Sequence, residues 1–130
     1  MTAPPCGPER LALEDVLAVS PLTLYIDGAA FAPAQPVTVR MTWRGMPRAG
    51  TKPRYTSYTS YVTVRSDASG FFIARLPVPV SGAAFASFTA HVVATDARGA
   101  CRATLDTTFR ATGASIIPTL MTPGACGSAS

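Results

Sequence analysis

The sequence predicts an all-β fold, a two-sheet sandwich of about seven short strands, on three observations. First, apolar residues alternate with polar ones at period two on both sides of a Gly- and Pro-containing corner. Leu22, Leu24 and Ile26 precede the corner, and Val37, Val39, Met41 and Trp43 follow it. Second, the segments 67–70 and 96–99 each begin with Asp and end with Gly, the chemistry of a tight turn between alternating runs. Third, twelve prolines and ten glycines occur in 130 residues, with abundant Thr, Val and Ala and no long apolar run at helical period. A chain of this length buries about two thirds of its unfolded surface, enough for one domain around one core.

Taken in order, residues 1–10 are Pro-rich and read as an extended arm. Leu11, Leu13, Val16 and Leu17 fit either one helical turn or an opening strand, and we read them as an extended or short helical lead-in. Strands are predicted near 22–27 and 37–43. Between them Gly28 is expected to take a backbone angle closed to other residues, Phe31 to enter the core, and Pro33 and Pro36 to prevent pairing across the bend. Residues 55–65 predict a strand with Tyr58, Val62 and Val64 on one face and Tyr55, Tyr61 and Arg65 on the other. After the turn, a strand over 71–76 is expected to return beside it as a hairpin. Phe72, Ala74 and Leu76 then face the core and Phe71, Ile73 and Arg75 face outward, with Pro77 and Pro79 ending the strand at an edge.

Residues 85–95 predict a strand that turns Phe88, Ala90, Val92 and Ala94 inward, and 101–109 one that turns Cys101, Ala103, Leu105 and Phe109 to one side. Beyond Gly113, Ile116, Ile117, Leu120 and Met121 are apolar, but Pro118, Pro123 and Gly124 argue against a regular element. The expected organisation is an N-terminal arm or lead-in over 1–21, the sandwich over 22–112 and a C-terminal arm over 113–130 that needs a surface to lie on.

The net charge of +4 is unevenly placed. Residues 44–54 contain Arg44, Arg48, Lys52 and Arg54 and no acid, and the other seven basic residues match the seven acidic ones. Ten of the eleven basic residues are Arg, Gln35 is the one Gln and Asn is absent, which suits a durable protein and excludes N-linked glycosylation. Three cysteines, Cys6, Cys101 and Cys126, allow one bridge and a free thiol or three reduced thiols. Glu9, Glu14 and Asp15 interrupt the early apolar segment, so no secretory signal is expected there, and no later run is long enough to span a bilayer.

From about Leu22 to Arg110 the chain resembles the immunoglobulin-like repeats of bacterial surface proteins and phage structural proteins. The matching residues are Gly28, Phe31 and Pro33 of a corner motif, Val37 and Val39 of the next strand, Asp67, Gly70 and Phe72, and the turn Thr95, Asp96, Ala97 and Gly99. Ala34 stands where such repeats usually carry Gly. The resemblance implies an immunoglobulin-like sandwich and says little about function, because these motifs are turn and core chemistry. A looser likeness to enediyne-carrier sandwiches lacks their two-disulfide cysteine pattern.

Reactive groups are sparse. His91, the single histidine, falls on the outward side of its strand with no acid beside it in sequence, and reads as a surface residue. The cysteines lack zinc-site spacing, Asp67 and Asp96 read as turn residues rather than calcium ligands, and no Gly-rich phosphate loop is present. No catalytic residue, metal or cofactor is expected. Two surfaces remain. The loop bearing Arg44, Arg48, Lys52 and Arg54 suits an acidic partner, although four charges without an aromatic ladder weigh against nucleic acid. The outer face of the 55–76 hairpin is expected to cluster Tyr55, Tyr61, Phe71 and Ile73 as an interface, joined by Ile116, Ile117 and Leu120 of the C-terminal arm.

The function expected from the sequence is that of a non-enzymatic structural or adhesive subunit of a larger assembly, a homo-oligomer or lattice. A phage virion decoration or tail-associated protein on the virion surface fits best. The alternatives are a secreted or cell-surface module binding a glycan, and a small-ligand carrier with a cleft between the sheets near Trp43.

Overall fold

The computed structural model describes residues 8–17, 22–81, 84–112 and 115–124, with side chains at Leu17 and beyond Arg110 left out. Eight strands run β1 (Arg10–Leu17), β2 (Leu22–Ala29), β3 (Pro36–Pro47), β4 (Ser57–Arg65), β5 (Phe72–Val78), β6 (Phe85–Thr95), β7 (Cys101–Thr112) and β8 (Ser115–Gly124). They form two antiparallel sheets, one ordered β1-β2-β5 and the other β4-β3-β6-β7-β8. The first seven strands thus make a two-sheet antiparallel sandwich of three and four strands, with β4 paired to β3 rather than to β5, and β8 adds an edge to the larger sheet.

The predicted alternation is the core. Leu22, Leu24, Ile26, Phe72, Ala74 and Leu76 of the small sheet face Val37, Val39, Met41, Trp43, Phe88, Val92, Leu105 and Phe109 of the large one, all buried. Each large apolar side chain enclosed this way contributes about 1.5–3 kcal/mol. Trp43 is fully enclosed, edge-on to Phe85 at 4.8 Å and tilted against Phe88 at 5.7 Å, and Phe88 stacks on Phe109 at 4.5 Å.

The chain crosses between the sheets at residues 30–35 and again at 66–71, and the two crossings are bonded to each other. Phe31 N–H donates to Gly70 O at 3.1 Å and Ala34 N–H to Asp67 O at 3.2 Å. Ser66, buried, donates its hydroxyl to Ala32 O at 2.6 Å and accepts from Gln35 N–H at 3.0 Å, while its own N–H donates to Gln35 O at 3.0 Å. That last bond continues the β3–β4 ladder, in which Pro36 stands opposite Arg65 and Val37 opposite Val64. Gly70 has φ +81° and no room for a Cβ, which would meet Phe31 O at 2.1 Å. Asp67 Oδ1 accepts from the Ser69 and Phe71 amides and the Ser69 hydroxyl, and these bonds, Phe71's first, hold its carboxyl below 3.8.

Several expectations change here. The 66–70 turn is well formed, but β4 and β5 lie in different sheets, so 55–76 is a crossing rather than a hairpin. Gly28 does not carry the left-handed angle; that falls to Ala30 (φ 65°) and Ala34 (φ 54°). Gly28 is needed for space, because the ring of Phe72 on the neighbouring strand lies 2.1 Å from where a Cβ would sit.

Residues 10–17 are a sandwich strand instead of a lead-in. An irregularity between Leu13 and Asp15 leaves Glu14 as an extra residue, so that Leu11, Leu13 and Val16 all pack on the core despite their mixed spacing. Residues 115–124 are a strand instead of an arm. Pro118 and Pro123 are tolerated because β8 is an edge, paired on one side alone. Cys101 is disulfide-bonded. Cys6 and Cys126 lie outside the described residues, as do the outer parts of both expected arms.

Replacing Ser66 by Ala strands the Gln35 amide and the Ala32 carbonyl. The expected loss is about 2 kcal/mol of unfolding free energy in a urea titration. A loss within ~0.5 kcal/mol, the range of ordinary surface substitutions, would contradict the role given to this hydroxyl.

Candidate functional site: the outward face of the large sheet

Antiparallel register assembles this face from residues far apart in sequence. Thr42 of β3 stands between Thr59 of β4 and His91 of β6, and His91 stands opposite Asp106 of β7. On the adjoining rungs Arg44 lies between Ser57 and Thr89, and Arg40 between Tyr61 and Val93. Most of the outward positions on these rungs are therefore hydroxyls and cations, alongside Tyr61, Val93 and Asp106. Thr38 and Thr63 join their hydroxyls at 3.1 Å across β3 and β4.

Charge is concentrated here. Arg40, Arg44, Arg65 and Arg110 are exposed on strands of the large sheet, and Asp106 is the one acid within those strands. Asp106 is itself hydrogen-bonded, its Oδ1 lying 2.5 Å from His91 Nδ1. Around this pair Thr42, Arg44, Thr89 and Thr108 complete an open depression of about 390 Å³. An imidazole oriented by a carboxylate can serve a nucleophile, yet His91 and Asp106 are 50% and 60% exposed on a flat sheet. Water reaches both groups, an environment suited to hydrogen-bonded binding more than to a buried, preorganised reaction centre.

The basic loop expected from the sequence is divided. Arg44 belongs to β3 and faces the depression. Arg48 is half-buried and built into the fold: its N–H donates to Ala84 O at 2.9 Å and its guanidinium to Phe85 O at 3.4 Å. Thr51 Oγ1 reaches the Arg48 and Ala84 carbonyls at 2.6 and 2.8 Å. Lys52 and Arg54 are exposed, with Arg54 5.7 Å above the Tyr55 ring and Tyr55 5.8 Å from Tyr58.

The expected aromatic interface is divided as well. Tyr61, 73% exposed, is on the outward face of the large sheet, whereas Phe71 and Ile73 are exposed on the opposite side of the sandwich and Tyr55 is in the β3–β4 loop. They do not cluster, because the chain changes sheets between Arg65 and Phe72. The backbone of Ile116, Ile117 and Leu120 is in β8, and their side chains lie outside the described set. On the opposite face Ile73 borders Glu14, Asp15 and Tyr25. A hydrogen bond with Asp27 is the first cause that raises the Glu14 carboxyl above 4.5, followed by desolvation and repulsion from Asp27 and Asp15.

The partnership of His91 with Asp106 was not found in the sequence because the two are fifteen residues apart. The usable signal was parity: Ala90 and Val92 inward place His91 outward, and Ala103 and Leu105 inward place Asp106 outward. The 96–99 turn then brings the two rows together. Asp96 anchors that turn by accepting from the Ala100 and Arg98 amides and from Arg102 Nε, bonds that hold its carboxyl below 3.8.

The division of the loop is testable by unfolding titrations. Arg48→Ala is expected to cost about 1 kcal/mol through its lost bond and packing, and Arg44→Gln to stay within ~0.5 kcal/mol. Equal losses would contradict the distinction between a structural and a surface arginine.

No protein-family model matches the chain, and no curated protein does. Among solved structures macromomycin is similar, at 14% identity over 85% of this chain and 96% of its own, with a TM-score of 0.37.

Proposed function

We propose that this chain is a non-enzymatic adhesive module that docks an acidic polysaccharide on the outward face of its large sheet. The observation behind it is the row of exposed arginines, Arg40, Arg44, Arg65 and Arg110, on a flat face rich in threonine hydroxyls, with its one acid paired to His91. Guanidinium groups give charge-assisted, geometrically specific bonds to anionic oxygens, and threonine hydroxyls suit a partner dense in hydroxyls. Attachment of this kind weakens with salt, since the charges are exposed.

The test is retention on immobilised dextran sulfate along a salt gradient. The native chain is expected to be retained, and the triple variant Arg40→Gln, Arg44→Gln, Arg110→Gln to elute at clearly lower salt with an unchanged melting curve. Identical elution of the two would remove this face from the function.

A second reading, a subunit of a larger assembly such as a virion surface, is favoured by the different character of the two outer faces. Phe71 and Ile73 are exposed on one side, where Ile73 borders Glu14 and Asp15 and the strands carry Arg10 and Arg75 besides, and the arginine row with a single acid lines the other. Stacking one face on the other would make a heterologous contact that need not close. Sedimentation should then show association that grows with concentration and is lost on Ile73→Asp; a monomer at every concentration excludes it.

A further inference from the structure

We infer that the depression bounded by Arg44, His91 and Asp106 binds a single uronic acid residue of a polysaccharide, a sugar carrying one carboxylate and vicinal hydroxyls. This rests on the acidic-polysaccharide reading of the same face and narrows it.

The inventory of groups selects this chemistry. Arg44 offers a guanidinium able to clamp one carboxylate. Asp106 gives Oδ1 to His91 and keeps Oδ2 as an acceptor, which only a hydroxyl or N–H donor can satisfy. His91 is engaged at Nδ1, which leaves Nε2 as the ring nitrogen available to a ligand. The exposed hydroxyls of Thr42 and Thr89 lie on the same two rungs. A uronate pairs with Arg44 and Asp106 together. A polysulfate or a phosphate backbone presents acceptors at almost every contact, so Asp106 opposes it even while the surrounding arginines attract it. The volume of about 390 Å³ lies within the range of small-ligand pockets.

The experiment is a calorimetric titration of the full chain with three probes: a linear hexuronate oligosaccharide, the same oligosaccharide with its carboxyls reduced to alcohols, and dextran sulfate. The uronate should bind, and its neutral counterpart should bind roughly tenfold more weakly or worse. Arg44→Gln should weaken uronate by a similar factor. Asp106→Asn should weaken uronate yet strengthen dextran sulfate, a reversal that a nonspecific cationic face cannot produce. If Asp106→Asn strengthens both anions, or the neutral oligosaccharide binds as well as the uronate, the uronate site is overturned. Binding of dextran sulfate without uronate also overturns it while leaving the broader acidic-polysaccharide reading in place; binding of neither probe overturns both.

Discussion

The hydroxyl of Ser66 and the backbone bonds beside it tie together two of the three places where the chain crosses from one sheet to the other, those after β2 and after β4. Without such a tie each crossing is a surface corner with several open backbone groups and no reason to keep one geometry. With it, Gln35 and Ser66 become the last rung of the β3–β4 ladder, and every pair down to Arg44 and Ser57 follows from that rung. Around the tie, Phe31 packs edge-on to Phe72 at 4.9 Å, and Phe72 in turn covers Gly28. The left-handed angles at Ala30 and Ala34 carry a local cost that Gly would avoid. They persist because the bonds at Phe31, Ala34 and Gln35 over-determine the corner.

Register has a functional consequence, because a one-residue slip turns a strand's outward side chains into the core. Arg40 and Arg44 reach the open face with Tyr61 and Ser57 beside them only in this pairing. The irregularity between Ala94 and Thr95 performs the same service for β6 and β7, bringing Asp106 opposite His91. The different make-up of the two outer faces is thus a product of topology: strands of the small sheet carry Glu14, Asp15 and Asp27 together with Arg10 and Arg75, and strands of the large one carry the arginine row with Asp106 as their one acid.

Much of the core was legible in the sequence, since alternation names inward residues whichever sheet a strand joins. For the same reason alternation could not say that β4 and β5 part company: Val62, Val64, Phe72 and Ala74 read identically for a hairpin and for a crossing. That difference lies in Ser66, a small polar residue with no pattern of its own. The strand at 10–17 was hidden by Glu14, whose insertion breaks the period of two, and the strand at 115–124 by prolines that an edge accepts. Of the site, Arg44 and its basic neighbours were visible as a charge run, but Arg48 could not be told from Lys52 without knowing which one meets Ala84 and Phe85. His91 was visible and Asp106 was not connected to it, because the connection is a register and not a spacing.

Native-state amide hydrogen exchange at Phe31, Ala34 and Gln35 tests the interlock most directly. These amides sit in corner segments that would ordinarily exchange by local opening. If the two crossings hold each other and the sheets in register, all three exchange only with global unfolding, at the same free energy as the buried strands β3 and β6. Exchange at a much lower free energy, with the strand amides still protected, would contradict it and show corners that open independently of the sandwich.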